Sequence, residues 1–195
     1  MAALKNIKKN IILASSSPRR KQLLSQLGLE FSIISPSFDE NKFSLSTKPE
    51  SVQKLSLYKA KSVCTKLTIS ALIIGADTVV IHEDKILGKP KSREEAFEML
   101  KMLSGNTHHV ITGIAVVDTD TGKEYTSYDI TYVKFNKLSD TQINDYIDNM
   151  KPYDKAGAYG IQELPPEFVK EIDGEIDNVI GLPTKILIKL LHSIK

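Results

Sequence analysis

The chain of 195 residues is 41% hydrophobic and 26% charged, with 26 basic against 24 acidic residues and a net charge of +2. That composition belongs to soluble globular proteins and excludes the disordered and fibrous classes. A near-neutral balance exerts no global pull on a polyanion, so neither nucleic acid nor a membrane is an expected partner, and any anion site has to be built locally.

The length suits one domain over residues 1–195, with one core or two lobes. One cysteine, Cys64, forms no internal disulfide, which points to a reducing, cytoplasmic setting. The apolar run from Ile11 to Ala14 is shorter than the roughly 7–15 residues of a signal core, so the opening segment reads as mature protein. Nowhere do about 18 consecutive apolar residues predict a membrane helix.

In chain order, Asn10 to Ala14 (NIILA) predicts a buried strand. Pro18 suits a helix start and Gly28 a left-handed exit, giving a helix over Pro18 to Leu27. Glu30 to Ser35 predicts a second strand, and Pro36 to Lys48, polar and holding Asp39 and Glu40, a functional loop. A long amphipathic helix follows over Pro49 to Leu67, its inner face made of Val52, Leu55, either Tyr58 or Ala60, Val63 and Leu67. The stretch ALIIGADTVVIH predicts two apolar strands interrupted at Gly75 to Thr78, with a polar reversal at His82 to Lys85.

Ser92 with Glu95 forms a capping box that opens a helix to Ser104. Val110 to Val117 and Tyr125 to Phe135 predict a hairpin, and Ser139 with Gln142 caps a helix ending near Met150. KPYDKAGAYGIQ suits neither a core helix nor a strand, Phe168 to Ile172 predicts a strand, and Pro183 to Ile194 a closing helix. Strands alternating with helices around a hairpin predict an α/β fold with a mixed sheet.

The segment LASSSPRRKQLL raises a chemical question. A strand feeding a helix leaves backbone N–H groups at the positive end of the helix dipole, where Ser15, Ser16 and Ser17 add hydroxyls and Arg19 and Arg20 can grip phosphate oxygens. The same residues also read as a serine cap and a solvated basic face. Asp77, placed after Leu72 to Ala76, stands where α/β sheets bind ligands at strand ends, and it would hold a metal, polarise a water or brace a turn. Asp39 and Glu40 would complete a Mg²⁺ site or serve only solubility. Lys59 breaks the apolar face of its helix and Lys89 sits between glycine and proline, each a phosphate contact or a solvent-facing lysine.

Other chemistries lack their residues. His108 and His109 are adjacent in a strand and face opposite sides, so they cannot chelate one metal. Cys64 has no histidine nearby in sequence and reads as a packed thiol. Neither a G-x-S-x-G elbow nor a P-loop is present, and no segment interleaves aromatic with basic residues as a single-strand nucleic-acid platform would.

Taken together, LASSSPRRKQLLSQLG, GADT (Gly75 to Thr78), LGKP (Leu87 to Pro90), LSGNTHHVITG, DKAGAYGIQ (Asp154 to Gln162) and IGLP (Ile180 to Pro183) resemble, in order and over nearly the whole chain, the Maf family of nucleoside triphosphate pyrophosphatases. The resemblance implies an inosine-triphosphatase-like fold, a mixed elongated sheet flanked by helices with a cleft between two lobes. It implies hydrolysis of a triphosphate to monophosphate and pyrophosphate with Mg²⁺ or Mn²⁺, the AGAYGIQ form pointing to dTTP and UTP and, by extension, modified pyrimidine nucleotides. By the same resemblance Asp77 is the proton acceptor. Ser15, Ser17, Arg20, Glu40, Lys59 and Lys89 handle phosphate and metal, with Glu40 and Asp77 on the metal, while Arg19, Thr78 and Gln162 bear on the base. Gly157 and Gly160 are expected to let the backbone approach the base. A homodimer is compatible with such a fold. A binding regulator without catalysis would need no proton acceptor, so the full carboxylate and lysine set favours an enzyme. Asp77→Asn is expected to remove activity and spare the melting temperature.

Overall fold

The apolar run NIILA forms β1 (Asn10–Ala14), buried from Ile11 onward. In this computed structural model residues 7–37, 43, 45–65 and 67–194 are described. Helix α1 (Pro18–Gln26) begins on Pro18, whose missing N–H costs nothing at that position, and it leaves through Gly28 at φ +70°. The second strand shrinks to β2 (Ser32–Ile33), parallel to β1 with Leu13 opposite Ile33. Among the described residues it stands at the edge of the sheet with one neighbour, and both its residues stay exposed.

Helix α2 (Pro49–Cys64) ends three residues earlier than predicted and buries Val52, Leu55, Ser56, Lys59, Ala60 and Val63. Tyr58, half exposed, lies off that face, so Ala60 is the inward residue of the two. The largest departure is β3 (Ala71–His82), one unbroken strand through Gly75, Asp77 and Thr78 where two strands were expected. Its ladder explains this: β1 pairs in parallel as far as Ala14 opposite Gly75, and β4 (Lys85–Leu87) pairs antiparallel from Val80 opposite Leu87. The polar residues between those two registers keep extended backbone, and the reversal comes at Glu83, φ +52°.

Helix α3 (Arg93–Leu103) is capped by Ser92 Oγ, which accepts the Glu95 N–H, while the Glu95 carboxylate accepts the Lys91 N–H, one residue before the expected box partner. Strands β5 (Thr107–Asp118) and β6 (Glu124–Phe135) are sheet neighbours joined by five residues, which makes them antiparallel. Helix α4 (Asp140–Met150) carries the complete Ser139–Gln142 capping box. A 3₁₀ turn (Ala156–Ala158) precedes β7 (Val169–Asp173), antiparallel to β6, and the chain closes with α5 (Ile176–Ile180) and α6 (Thr184–Ser193). Among the described residues the sheet has seven strands in the order β2-β1-β3-β5-β6-β7, with β4 on β3, and it is mixed as predicted.

Two compact units form. The first comprises Met1–Asp77, Thr112–Asp129 and Gly181–Lys195, the second Thr78–Ile111 and Ile130–Ile180. In the first, Ile12, Ala14, Ala60, Val63, Ile73 and Val117 make a core against which Leu67 and Cys64 pack, so the thiol is a packing group. In the second, Phe135, Phe168, Tyr159 and Tyr146 centre a core roofed by α3 and α4. No helix of the described residues is long and apolar enough to cross a membrane.

Candidate active site

In the first unit two glycines bring α2 down onto the sheet. A Cβ on Gly75 would lie 2.2 Å from the Ser56 carbonyl oxygen, and one on Gly113 would lie 2.5 Å from that of Val52. Residues two apart in a strand share a face, as do residues three and four apart in a helix. Gly75 therefore sets Ser56 and Ala60 against β3, and Asp77, two residues on, meets Lys59 on the same helical face. The Lys59 ammonium donates to Asp77 Oδ1, with Lys59 7% and Asp77 8% exposed. Lys59 is thus neither solvent-facing nor a lone phosphate contact, and Asp77 lies within a strand rather than at its end.

The serine-arginine loop leaves β1 next to this pair. Neighbouring strands lie about 4.8 Å apart, and Ala14 is opposite Gly75, so the chain enters Ser15 to Ser17 abreast of Asp77. The expected row of open N–H groups at the start of α1 is largely absent. Pro18 has none, Ser15 Oγ accepts the Ser17 N–H at 3.2 Å, and Ser17 Oγ accepts the Arg20 N–H at 3.4 Å. What the loop offers an anion is instead the O–H of each hydroxyl, which accepting a bond leaves able to donate, together with the arginines. Arg20 is oriented from two sides: its Nε donates to the Gly181 carbonyl at 2.8 Å and its Nη1 to Ser15 Oγ at 3.4 Å. Arg19 is half-buried beside it. Gly181 is the part of IGLP whose role the sequence did not disclose. The signal was present, a glycine at φ +119° between α5 and a helix-opening proline, but only the fold says which side chain its carbonyl holds.

In the second unit Thr78 is half-buried, while Lys89 and Gln162 are exposed. The Gly157 N–H donates to the Gly88 carbonyl at 3.0 Å, tying the segment before Lys89 to the turn that carries Gln162. Gly157 and Gly160 do not leave space open for a base. Gly157, at φ +66°, packs on the Val80 side chain, and a Cβ on Gly160 would lie 2.9 Å from Lys155 Cε. Lys155, 7% exposed and bridged to Asp154 and Glu163, is a buried cation that spacing alone did not single out.

His108 and His109 face opposite sides as expected: His108 is buried with its Nε2 2.7 Å from the Tyr159 hydroxyl, and His109 packs on the Tyr132 ring. Burial, reinforced by His82 and His109, lowers the His108 pKa to about 3, and burial raises that of the Tyr159 phenol. Glu40 and Asp39 lie outside the described residues. Among the described residues no three acidic, histidine or cysteine side chains cluster as a metal site would.

An α/β protein with a mixed sheet that sets a serine-arginine loop beside a buried lysine–aspartate pair belongs to the class of proteins equipped to bind a phosphorylated ligand. The particular lineage follows from comparison: the chain belongs to the Maf-like protein family, whose profile matches residues 10–194. It is 49% identical over 175 residues to a dTTP/UTP pyrophosphatase of Alkaliphilus oremlandii, covering 90% of this chain and 91% of that one. It is 49% identical over 182 residues to another so named from Thermoanaerobacter sp. (strain X514), covering 93% and 94%. A third, from Ruminiclostridium cellulolyticum, is 46% identical over 187 residues, covering 95% and 96%. A solved dITP/XTP pyrophosphatase from Mycobacterium abscessus gives a TM-score of 0.45 at 14% identity, covering 66% of this chain and 75% of that one.

Proposed function

We propose that this chain is a nucleoside triphosphate pyrophosphatase that hydrolyses dTTP and UTP to the monophosphate and pyrophosphate. The observation that carries the reading is the β1–β3 register, which brings Ser15 to Arg20 abreast of the Lys59–Asp77 pair. The near-half identity to proteins named dTTP/UTP pyrophosphatase supports the substrate.

In this reading water attacks the α-phosphorus and gives its proton to Asp77, which Lys59 holds in place. The bond from the α-phosphorus to the bridging oxygen breaks, and that oxygen leaves with the pyrophosphate. Negative charge grows on the bridging and equatorial oxygens, where Arg20, the Ser15 and Ser17 hydroxyls and Lys89 donate. Loss of one such preorganised donor typically costs about 3–4 kcal/mol, or roughly 10²–10³ in rate. A divalent cation, Mg²⁺ or Mn²⁺, would be held by Asp77 together with Glu40, which lies outside the described residues, because hard cations take one or two carboxylates and complete their shell with phosphates and water. When bound it draws charge from the phosphate oxygens as a Lewis acid. Gln162, with an amide donor and acceptor, reads the pyrimidine O4 and N3–H edge, with Arg19 and Thr78 completing base choice. Modified pyrimidine nucleotides that keep this edge are further substrates, which limits their incorporation into nucleic acid. The cytoplasmic setting rests on the lone cysteine, and a homodimer on the family resemblance alone.

Incubation with Mg²⁺ and a panel of nucleoside triphosphates, with pyrophosphate as the readout, tests this. The reading expects dTTP and UTP to turn over well above ATP. Equal turnover of all nucleotides removes the base assignment, and no pyrophosphate from any of them removes the activity.

A further inference from the structure

The turn from Lys155 to Glu163 is built around a charge rather than an apolar plug. The Lys155 ammonium lies 2.8 Å from Asp154 Oδ1 and 3.1 Å from Glu163 Oε2, and the lysine side chain is only 7% exposed. Asp154 is its chain neighbour, so that bond constrains little. Glu163 is eight residues on, so the second bridge closes the segment into a loop. Inside the loop the Lys155 stem occupies the space against Gly160, with Cε and Cδ at 2.9 and 3.1 Å from where a Cβ would stand. The Gly160 N–H donates to the Tyr146 hydroxyl at 3.2 Å, and the Glu163 N–H donates back to the Gly160 carbonyl at 2.8 Å. Gln162 is exposed and lies between these two anchored residues.

We infer that Lys155 and Glu163 form a clasp that fixes the backbone under Gln162, which makes them positioning residues for base selection. The inference rests on the base-reading role proposed above for Gln162. A catalytic or phosphate-binding role for Lys155 is disfavoured by its partners: its charge is already met by two carboxylates and its stem is packed, so it serves the turn. Opening the bridge lets the turn swing, and with it the amide that has to meet the pyrimidine edge. The phosphoryl-handling side chains Ser15, Ser17, Arg20, Lys59 and Asp77 lie on other segments and keep their geometry.

The test measures kcat and KM with UTP and with CTP, whose N3 and C4 edges carry opposite hydrogen-bonding patterns, for the wild type and for Lys155→Met, Glu163→Gln and Gln162→Ala. Lys155→Met keeps most of the stem and removes the charge. Glu163→Gln changes a half-exposed side chain and carries the test should Lys155→Met fold poorly. The expected result is a fall of about tenfold in the UTP-to-CTP ratio of kcat/KM for both clasp variants, since misplacements of ~1 Å cost up to ~100-fold. The loss should appear in the KM for UTP with kcat nearly unchanged, and faster hydrogen exchange should be confined to residues 155–163. If Gln162→Ala collapses the ratio while both clasp variants keep it, the clasp is overturned and base reading by Gln162 stands. If Gln162→Ala also keeps the ratio, the base-reading role itself fails, and the clasp's part in selection fails with it.

Discussion

Lys59 and Asp77 show how one contact changes the expected behaviour of a variant. From the sequence, with Asp77 placed at a strand end as a catalytic group, Asp77→Asn is expected to remove activity and leave the melting temperature nearly unchanged. In the structure the pair is buried, and removing one member of a buried pair leaves a desolvated charge, at a cost of about 3–5 kcal/mol. For a chain of this size each kcal/mol moves Tm by roughly 2–4 °C. Asp77→Asn is therefore expected to abolish pyrophosphate release and also to lower Tm by roughly 6 °C or more, read by calorimetry. The double variant Lys59→Met with Asp77→Asn, which removes both charges of the pair, should regain much of the Tm and none of the activity. A second residue-scale expectation concerns acid. With its pKa held near 3 in the fold against an ordinary 6.5, His108 binds fewer protons folded than unfolded. Its contribution to stability is complete above pH 6.5 and is lost as pH falls toward 3, at a rate of up to about 1.4 kcal/mol per pH unit. Half-buried His109 acts in the same sense. Tm should fall with acid in this window, and His108→Phe should flatten the slope; an unchanged slope would assign the acid loss elsewhere.

Elements were legible where local chemistry decides them. Ser92 and Ser139 fixed the starts of α3 and α4, and Pro18 with Gly28 bracketed α1, because capping is settled within one turn of chain. Strands were less legible, since their limits depend on which neighbours pair. Among the described residues β2 pairs with β1 alone, and β3 runs as one strand past Asp77, flanked by β1 and β5, through the stretch between the end of its β1 ladder and the start of its β4 ladder. The approach of α2 to β3 belongs to this scale as well. Gly75→Ala would drive a methyl into the Ser56 carbonyl, so the helix has to move outward. Over-packing of this kind costs about 1–3 kcal/mol, and here it also draws Lys59 away from Asp77. Gly113→Ala, which meets α2 at Val52, should destabilise to a similar extent with a smaller loss of turnover. Equal activity losses in the two variants would mean that the helix shifts as a rigid rod.

For the whole molecule, the sequence disclosed the residue types of the site better than their partners. Ser15, Ser17, Arg20, Lys59 and Asp77 are singled out by the sequence and its family resemblance, and the first unit gathers them onto adjoining segments. Three pairings were not legible: Gly181 with Arg20, Lys155 with Glu163, and Lys59 with Asp77. Each joins residues whose contact depends on how the elements pack, which hydropathy and motif spacing do not encode. The central claim, that these segments serve attack of water on the α-phosphorus, is tested most directly by hydrolysing UTP in ¹⁸O-enriched water and weighing the products. The account predicts one ¹⁸O in UMP and none in pyrophosphate; label in pyrophosphate, or UDP with labelled phosphate, would contradict it.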